Sequence, residues 1–263
     1  MNAQLNQFSD RLSNTISNFD DPETVKEALP TLLLVLDSTA SGEGASGEIK
    51  LSAAKLYSAY SGAFVNNLQR QQVLSARALT YAQQGVCQIN KHWCAIEQMN
   101  NADFARFIQT IDKPQVPLAY AYASTLLGYI QAHSDDWATV AKLNRAKSLL
   151  DLVVSFDPAY DHAGAHLYLG ALAMLLPPAA GGKADVGKQH FETALALTHG
   201  QNLMVKVEYA RRYAKALFDQ ALYHQLLTEV MQADANVPGL VLMNTIAKQQ
   251  AKALLADEQN YFD

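Results

Sequence analysis

The sequence contains few residues that break helices and almost no cysteine. Its 263 residues include 13 Gly, 8 Pro and 2 Cys, and no proline lies between Pro30 and Pro114. Runs of β-branched residues and alternating strand patterns are missing as well. Because strong helix formers fill the spaces between the few Gly and Pro, we predict an all-α fold.

Long apolar runs are also absent. The two longest, 31–36 and 171–176, fall far short of the roughly 18 apolar residues that span a bilayer. The first 21 residues carry neither the basic segment nor the apolar segment of a signal peptide. Two locations therefore stay open: the cytosol, and a compartment reached with a signal that this sequence does not contain.

Charge is sparse and unevenly distributed. Charged residues make up 17% of the chain and the net charge is −5, which disfavours nucleic-acid binding because phosphates require a basic surface. No Asp or Glu lies between Glu48 and Glu97, and this stretch holds Lys50, Lys55, Arg70, Arg77 and Lys91. We interpret it as a solvated face, with a docking face for an acidic partner as the alternative.

Apolar residues at helical spacing place the individual helices. Periodic sets begin after the cap-like pair Asp21-Pro22 and recur over 51–67, over 70–86, from Asn101 onward and over 240–255. We expect Pro30 to kink or divide the first of these helices.

An internal repeat is the most informative pattern. Leu169-Gly170 follows Leu127-Gly128 by 42 residues, and in the next helices an offset of 41 relates Ala146, Leu150 and Val153 to Gly187, Phe191 and Ala194. This spacing is similar to the tetratricopeptide pattern of paired antiparallel helices, although the standard unit has about 34 residues. We therefore predict a tetratricopeptide-like helical repeat, an α-α superhelix, with extended links at 131–137 and 177–184.

The whole chain, 1–263, is predicted to be a single α-helical repeat domain. Its parts are N-terminal helices with a Gly-rich loop (1–50), a first helix pair with an extra helix (51–116), and the repeats with a C-terminal helix (117–258).

One motif suggests a cofactor. Residues 42–47 match the Gly-x-Gly-x-x-Gly pattern of dinucleotide-binding loops, but a Leu-rich helical run precedes them. A dinucleotide site needs a preceding strand and an acidic residue about 20 positions later. We predict a flexible loop between helices, and no cofactor.

A second motif suggests a metal. His162 and His166 have the spacing that places two imidazoles on one helix face, but Ala163 stands where a metalloprotease has Glu. We interpret both as structural histidines and predict no metal, a metal-dependent enzyme being a minor alternative. No nucleophile elbow or phosphate-binding loop occurs, so no catalytic residue is predicted.

The two cysteines, Cys87 and Cys94, lie seven residues apart. On one continuous helix the rise of about 10.5 Å exceeds the Cα separation that a disulfide allows. Asn90-Lys91 could instead turn the chain and let the two meet. Two unlinked thiols and a disulfide therefore both stay open.

Candidate binding residues come from two features. Residues 177–182 join two helices with two prolines and two glycines, and we predict a functional loop there, with a purely structural link as the alternative. Tyrosines in predicted helices suit the lining of a concave groove. The candidates for ligand or partner binding are Tyr168, Leu176, Pro177, Pro178, Gly181, Gly182, Tyr209 and Tyr213.

Several segments together resemble one known family. In chain order the segments are 21–25, 34–38, the stretch Leu176-Pro177-Pro178 with Gly181-Gly182, then 187–194, 202–210 and 244–255. Their order and spacing resemble the T component of TRAP transporters (TatT). The resemblance covers nearly the whole chain and is most specific over 164–255.

The resemblance implies a periplasmic, usually lipid-anchored, tetratricopeptide-like protein that associates with the periplasmic substrate-binding protein of a TRAP transporter. It also implies a small hydrophobic or organic-acid ligand and a homo-oligomer, with a trimer as one candidate, and it offers no catalytic residues. The family's lipoprotein signal and acylated cysteine are missing from this sequence. A periplasmic location would favour the Cys87–Cys94 disulfide.

On these grounds we predict a non-enzymatic accessory component of a TRAP-type solute uptake system. The alternative is a general tetratricopeptide-like scaffold for protein interactions with no transport role.

Overall fold

Helices account for the regular structure of the chain wherever it is described. The structure, a computed structural model, describes residues 2–42, 44–176 and 182–262. Every regular element within these ranges is a helix, which confirms the predicted all-α class. The residues group into two compact units, one formed by 1–15 with 23–156 and the other by 16–22 with 157–263.

The helices up to Phe156 include all those that the apolar periodicity predicts. They are α1 (Asn2–Ser17), α2 (Pro22–Ala40), α3 (Gly47–Phe64), α4 (Leu68–Ile89), α5 (Asn101–Ile108), α6 (Val116–Ala132), α7 (Trp137–Val140) and α8 (Leu143–Phe156). Short 3-10 turns occupy Lys91–Trp93 and Lys113–Gln115.

After Phe156 the chain forms a second series. The helices are α9 (Tyr160–Ala173), α10 (Ala184–Leu197), α11 (Leu203–Glu208), α12 (Gln220–Gln232), α13 (Val241–Ala256) and α14 (Glu258–Phe262). A π-helical turn, Tyr209–Ala214, continues directly from α11.

Side-chain caps explain where several helices begin. Ser46 accepts a hydrogen bond from the Ile49 amide and starts α3, Asn67 does the same for α4, and Asn100 for α5. Of the two outcomes predicted for Pro30, division of the helix is wrong, because α2 runs through this residue without interruption, and a kink stays a prediction. Proline costs the helix one backbone hydrogen bond, and buried leucines on both sides of it, Leu29 and Leu33, hold α2 in place.

The Gly-rich segment 42–47 joins two helices and contributes to their packing. A Cβ on Gly47 would lie 2.8 Å from the Gly85 carbonyl oxygen, and a Cβ on Gly85 would lie 2.9 Å from the Gly47 carbonyl oxygen. These two glycines therefore allow α3 and α4 to touch backbone to backbone. The element before the segment is the helix α2, not the strand that a dinucleotide site needs.

The predicted repeat is consistent with the burial pattern of its second helices. α6 packs on α8 in the first unit, and α9 packs on α10 in the second. The residues that the 41-residue offset relates are all buried, namely Ala146, Leu150 and Val153 in α8 and Gly187, Phe191 and Ala194 in α10. The superhelix and the single repeat domain over 1–263 stay predictions.

The correspondence of the two Leu-Gly pairs is wrong. Gly128 is exposed, and a Cβ there would meet open space. Gly170 is buried, and a Cβ there would lie 2.9 Å from the ring of Phe191. Identical dipeptides thus occupy opposite environments, because helix α6 turns a different face to its partner.

Alanine substitution distinguishes these two glycines. We expect Gly128→Ala to raise the free energy of unfolding by about 0.5–1 kcal/mol, since alanine is the better helix former. Gly170→Ala should lower it by about 1–3 kcal/mol, because the fully buried Phe191 ring cannot move aside without cost. Urea denaturation of the full chain measures both, and equal effects at the two positions would contradict the assignment.

Candidate functional site

The predicted functional loop is only partly described. Pro177, Pro178 and Gly181 lie outside the described residues. At the borders of the loop, the Lys183 amide donates a hydrogen bond to the Ala173 carbonyl, 3.2 Å, which joins the start of α10 to the end of α9. Gly182 is half-buried. Leu176 is 54% exposed and Leu175 is 50% exposed, so an apolar surface leads into the loop.

The three predicted tyrosines lie in the second unit but differ in accessibility. Tyr209 is 3% exposed, and its ring stacks on Phe191 at a centroid distance of 5.2 Å. It is a core residue, so its predicted role in lining a groove is wrong. Tyr213, on the same π-helical turn, is half-buried with its ring 5.2 Å from that of Tyr209.

Tyr168 lies on α9, which contacts the π-helical turn. Burial, with the nearby carboxylates of Asp161 and Glu208, raises the pKa of Tyr168 to about 12. Its phenol therefore stays protonated at neutral pH and keeps its hydrogen-bond donor.

The two histidines of the possible metal motif do not share a helix face. Asp161, His162 and Ala163 adopt left-handed backbone angles, with φ of 49°, 54° and 60°. This left-handed turn rotates His162 away from the regular part of α9, and His162 is exposed. His166 is buried, and its Nδ1 lies 2.9 Å from Nδ1 of His190. The expectation that the i, i+4 spacing places both imidazoles side by side is therefore wrong.

His166 is held in its neutral form. Its Nε2 is buried and has no hydrogen-bond partner within the described residues. Burial, followed by repulsion from a charged His190, lowers the pKa of His166 to about 4. A proton added to Nε2 would be a buried donor without an acceptor.

This depressed pKa makes stability depend on pH. Unfolded histidine takes up its proton near pH 6.5, whereas folded His166 resists until about pH 4. The unfolded chain therefore binds more protons in this window, and stability should fall by roughly 2–3 kcal/mol as the pH drops from 6.5 to 4. His166→Gln should remove that part of the loss in urea denaturation, while the exposed His92→Gln should not. Parallel pH profiles for wild type and His166→Gln would contradict this assignment.

A disulfide joins Cys87 and Cys94 with a Cα separation of 4.3 Å. The chain can close this short distance because α4 ends at Ile89 and Asn90 begins a 3-10 turn, its side chain accepting from the His92 amide. The turn also places Trp93 in the core, where its ring lies 5.0 Å from that of Phe107.

The disulfide should stabilise the folded chain. Closing so short a loop restricts the unfolded ensemble by about 2 kcal/mol. We expect the double variant Cys87→Ser with Cys94→Ser to lose that amount in urea denaturation. Dithiothreitol should reproduce the loss in wild type and leave the double variant unchanged, and a reductant effect on the variant would point to another cause.

A groove that the sequence analysis missed lies in the first unit. One stripe of α4 lies along the length of the groove. It is formed by Val73, Ala76, Arg77, Thr80 and Gln84. The lining is completed by Asp37 from α2, Ser41 just after it, Lys50 from α3, and Tyr81. The volume of this α2–α4 groove is about 900 Å³. The acid-free stretch from 49 to 96 was the available signal, since it contains Lys50 and Arg77.

A polar network centred on Asp37 shapes this groove. Asp37 accepts from Arg77 Nη1 at 2.5 Å and from the Tyr81 hydroxyl at 2.6 Å. Arg77 Nη1 also donates to the Tyr57 hydroxyl at 3.3 Å. Burial, together with the Asp37 charge, raises the pKa of both Tyr57 and Tyr81, so both phenols stay protonated.

At the other end of the groove the Lys50 ammonium donates to the Gln84 side-chain carbonyl at 3.0 Å. Gln84 follows Arg77 by seven residues on α4, which is about 10 Å along a helix axis. The two cations therefore mark two separate positions along the groove.

Two further properties bear on function. In the part of the chain that the structure describes, no helix is long and apolar enough to cross a membrane. The same part holds no group of three or more His, Cys, Asp or Glu side chains arranged to bind a metal ion.

Comparison with known families decides the identity. A family model described as the TRAP transporter T-component matches residues 18–262. The chain belongs to this family. The resemblance found in the sequence is therefore confirmed, and this T-component protein is an accessory part of a TRAP transporter. No curated protein matches the chain.

The match to the T-component family extends over both compact units from residue 18 onward. It contains every residue of the α2–α4 groove, the Cys87–Cys94 pair, and all the candidate residues from Tyr168 to Tyr213. The family thus covers both regions in which a functional surface can be sought.

Proposed function

We propose that this T-component protein is a non-enzymatic accessory subunit that docks on the periplasmic substrate-binding component of a TRAP transporter and holds a hydrophobic or organic-acid ligand. The observation that carries the proposal is the family match over residues 18–262. The all-helical architecture supports it, because paired helices offer extended surfaces for partner binding.

The disulfide supports a periplasmic location. Thiols in the cytosol are kept reduced, whereas disulfides persist in the periplasm and outside the cell. A bond between Cys87 and Cys94 is therefore typical of an exported protein.

The surface proposed for docking is the loop 177–182 with its apolar approach. Leu175 and Leu176, just after the end of α9, are both at least half exposed. Adjacent leucines exposed to solvent are suited to contact with a protein partner. Tyr168 and Tyr213, both half-buried, remain part of this proposal. Tyr209 does not, since its ring is enclosed in the core.

A homo-oligomer, with a trimer as one candidate, belongs to the same proposal. It is supported by the family match alone, and light scattering on the purified protein determines the mass of the assembly. A monomer at micromolar concentration would remove this part of the proposal without affecting the docking role.

Partner capture tests the proposal. The double variant Pro178→Ala with Gly182→Ala should weaken capture of the cognate substrate-binding protein by roughly tenfold, the cost of losing about 1.4 kcal/mol of interface energy. Its melting temperature should change little, because both substitutions lie between α9 and α10 and outside either helix. Equal losses in melting temperature and in capture would make the loop a structural link.

A second pair of variants tests the apolar approach. Leu176→Ser should weaken capture, whereas Leu34→Ser, at a position on α2 that is 69% exposed, serves as the matched control. Failure of wild type to capture any TRAP substrate-binding protein would favour the general interaction scaffold.

A further inference from the structure

We infer that the α2–α4 groove binds the carboxylate of a small organic acid, with the acid's apolar part resting on Val73 and Ala76. This deepens the ligand-binding part of the proposed function, and it names a place and a chemistry for the ligand. The argument has three parts: the charge of the groove, the free donors of Arg77, and the apolar surface beside them.

The groove is positive although the chain is acidic. It has two cations, Arg77 and Lys50, against the single carboxylate of Asp37, in a chain whose net charge is −5. The hydrogen bond of Lys50 goes to the neutral Gln84 amide, and Lys50 forms no ion pair within the described residues. A concave surface with an excess of positive charge attracts anionic ligands.

The ion pair with Asp37 positions Arg77 but leaves some of its N–H donors available. Both of its hydrogen bonds among the described residues, to Asp37 and to Tyr57, use Nη1. A guanidinium has five N–H donors in a planar fork, so Nη2 and Nε remain for a carboxylate. The side chain is 49% exposed and lines the groove. Asp37, itself held by the Tyr81 hydroxyl, fixes the plane of the fork.

An apolar surface lies one helical turn from this cation. Val73 is 63% exposed on the same stripe of α4, and Ala76 lies between it and Thr80. Covering Val73 with methylene groups would remove apolar surface from water, a gain that a purely polar anion cannot provide. The groove has a volume of about 900 Å³ and is open to solvent.

An acidic protein segment also carries carboxylates and is the competing occupant. Its side chains are charged at close intervals and have little apolar surface to cover Val73. The neighbouring cation and exposed valine therefore favour an acid with a hydrocarbon part over such a segment.

The test measures binding to the isolated full chain by isothermal titration calorimetry, so that failure to capture a partner protein does not decide it. The probes are octanoate, neutral octanamide, the dicarboxylate suberate, and hexaglutamate as the stand-in for an acidic segment. We expect octanoate or suberate to bind at least tenfold more tightly than octanamide, with an affinity that falls as salt is added.

Four variants locate the binding. Val73→Asp places a negative charge at an exposed position of the groove, and Val73→Asn is its neutral control of the same size. Arg77→Gln removes the proposed carboxylate donor, and Arg106→Gln removes an exposed arginine elsewhere in the first unit. We expect a loss of roughly tenfold for Val73→Asp and Arg77→Gln, a smaller loss for Val73→Asn, which removes apolar contact but adds no charge, and little change for Arg106→Gln.

Three results would overturn the inference. Equal binding of octanoate and octanamide would make the carboxylate irrelevant, and unchanged binding in both Val73→Asp and Arg77→Gln would place the ligand elsewhere. A small organic acid would be excluded as the occupant if hexaglutamate bound more tightly than octanoate and suberate. It would also be excluded if neither small acid bound at millimolar concentration. Because Val73 is exposed, Val73→Asp stays informative even if Arg77→Gln destabilises the fold.

Discussion

Close contact between helix backbones at facing glycines is the constraint on which both units depend. In the first unit Gly47 of α3 faces Gly85 of α4, and in the second Gly170 of α9 faces Gly187 of α10. At each crossing a Cβ on either residue would meet an atom of the other helix at 3.3 Å or less. The absence of a side chain lets the helices approach, and large residues such as Phe191 then fill the space beside the crossing. Replacing a glycine there therefore changes the distance between two whole helices.

The groove in the first unit follows from that crossing. Because Gly47 lies against Gly85, the first turn of α3 runs beside the last turns of α4, and Lys50 can reach Gln84. The stripe from Val73 to Gln84 forms the exposed side of α4, while Ala78, Ala82 and Val86 are buried. Asp37 then ties the end of α2 to this stripe through Arg77 and Tyr81. A ligand surface thus arises where three helix segments converge, although no short motif in the sequence encodes it.

Much of the helical architecture could be predicted from periodicity, because the buried face of a helix is a local property of the sequence. The second helices of the repeat are an example, since the same 41-residue offset relates buried residues in α8 and α10. The Leu-Gly pairs were misleading because a dipeptide does not record which face of its helix meets a partner. Pro30 failed as a breaker because the penalty for one lost hydrogen bond is smaller than the gain from burying Leu29 and Leu33.

The functional residues were harder to predict, and for a physical reason. The histidine spacing assumed a regular helix, whereas a left-handed turn at 161–163 breaks the register before His166. Tyr209 looked like a groove residue because tyrosine is amphipathic, but its ring is enclosed against Phe191. Asp37 and Arg77 are 40 residues apart in sequence, so only the fold brings them together. What the sequence did contain was the absence of acids between Glu48 and Glu97, the stretch that supplies Lys50 and Arg77 to the groove.

The disulfide lies at the end of α4, close to one end of the groove. Cys87 lies less than one turn after Gln84 and Gly85, so the bond to Cys94 anchors the end of α4 at the point where it meets α3. Beyond the bond, Trp93 donates from its indole to the Gln115 side-chain carbonyl at 2.9 Å, and Asn90 donates to the same oxygen at 3.1 Å. The turn that closes the disulfide is therefore also fixed by core contacts. The covalent bond and these contacts therefore act together on the end of α4, next to the Lys50–Gln84 end of the groove.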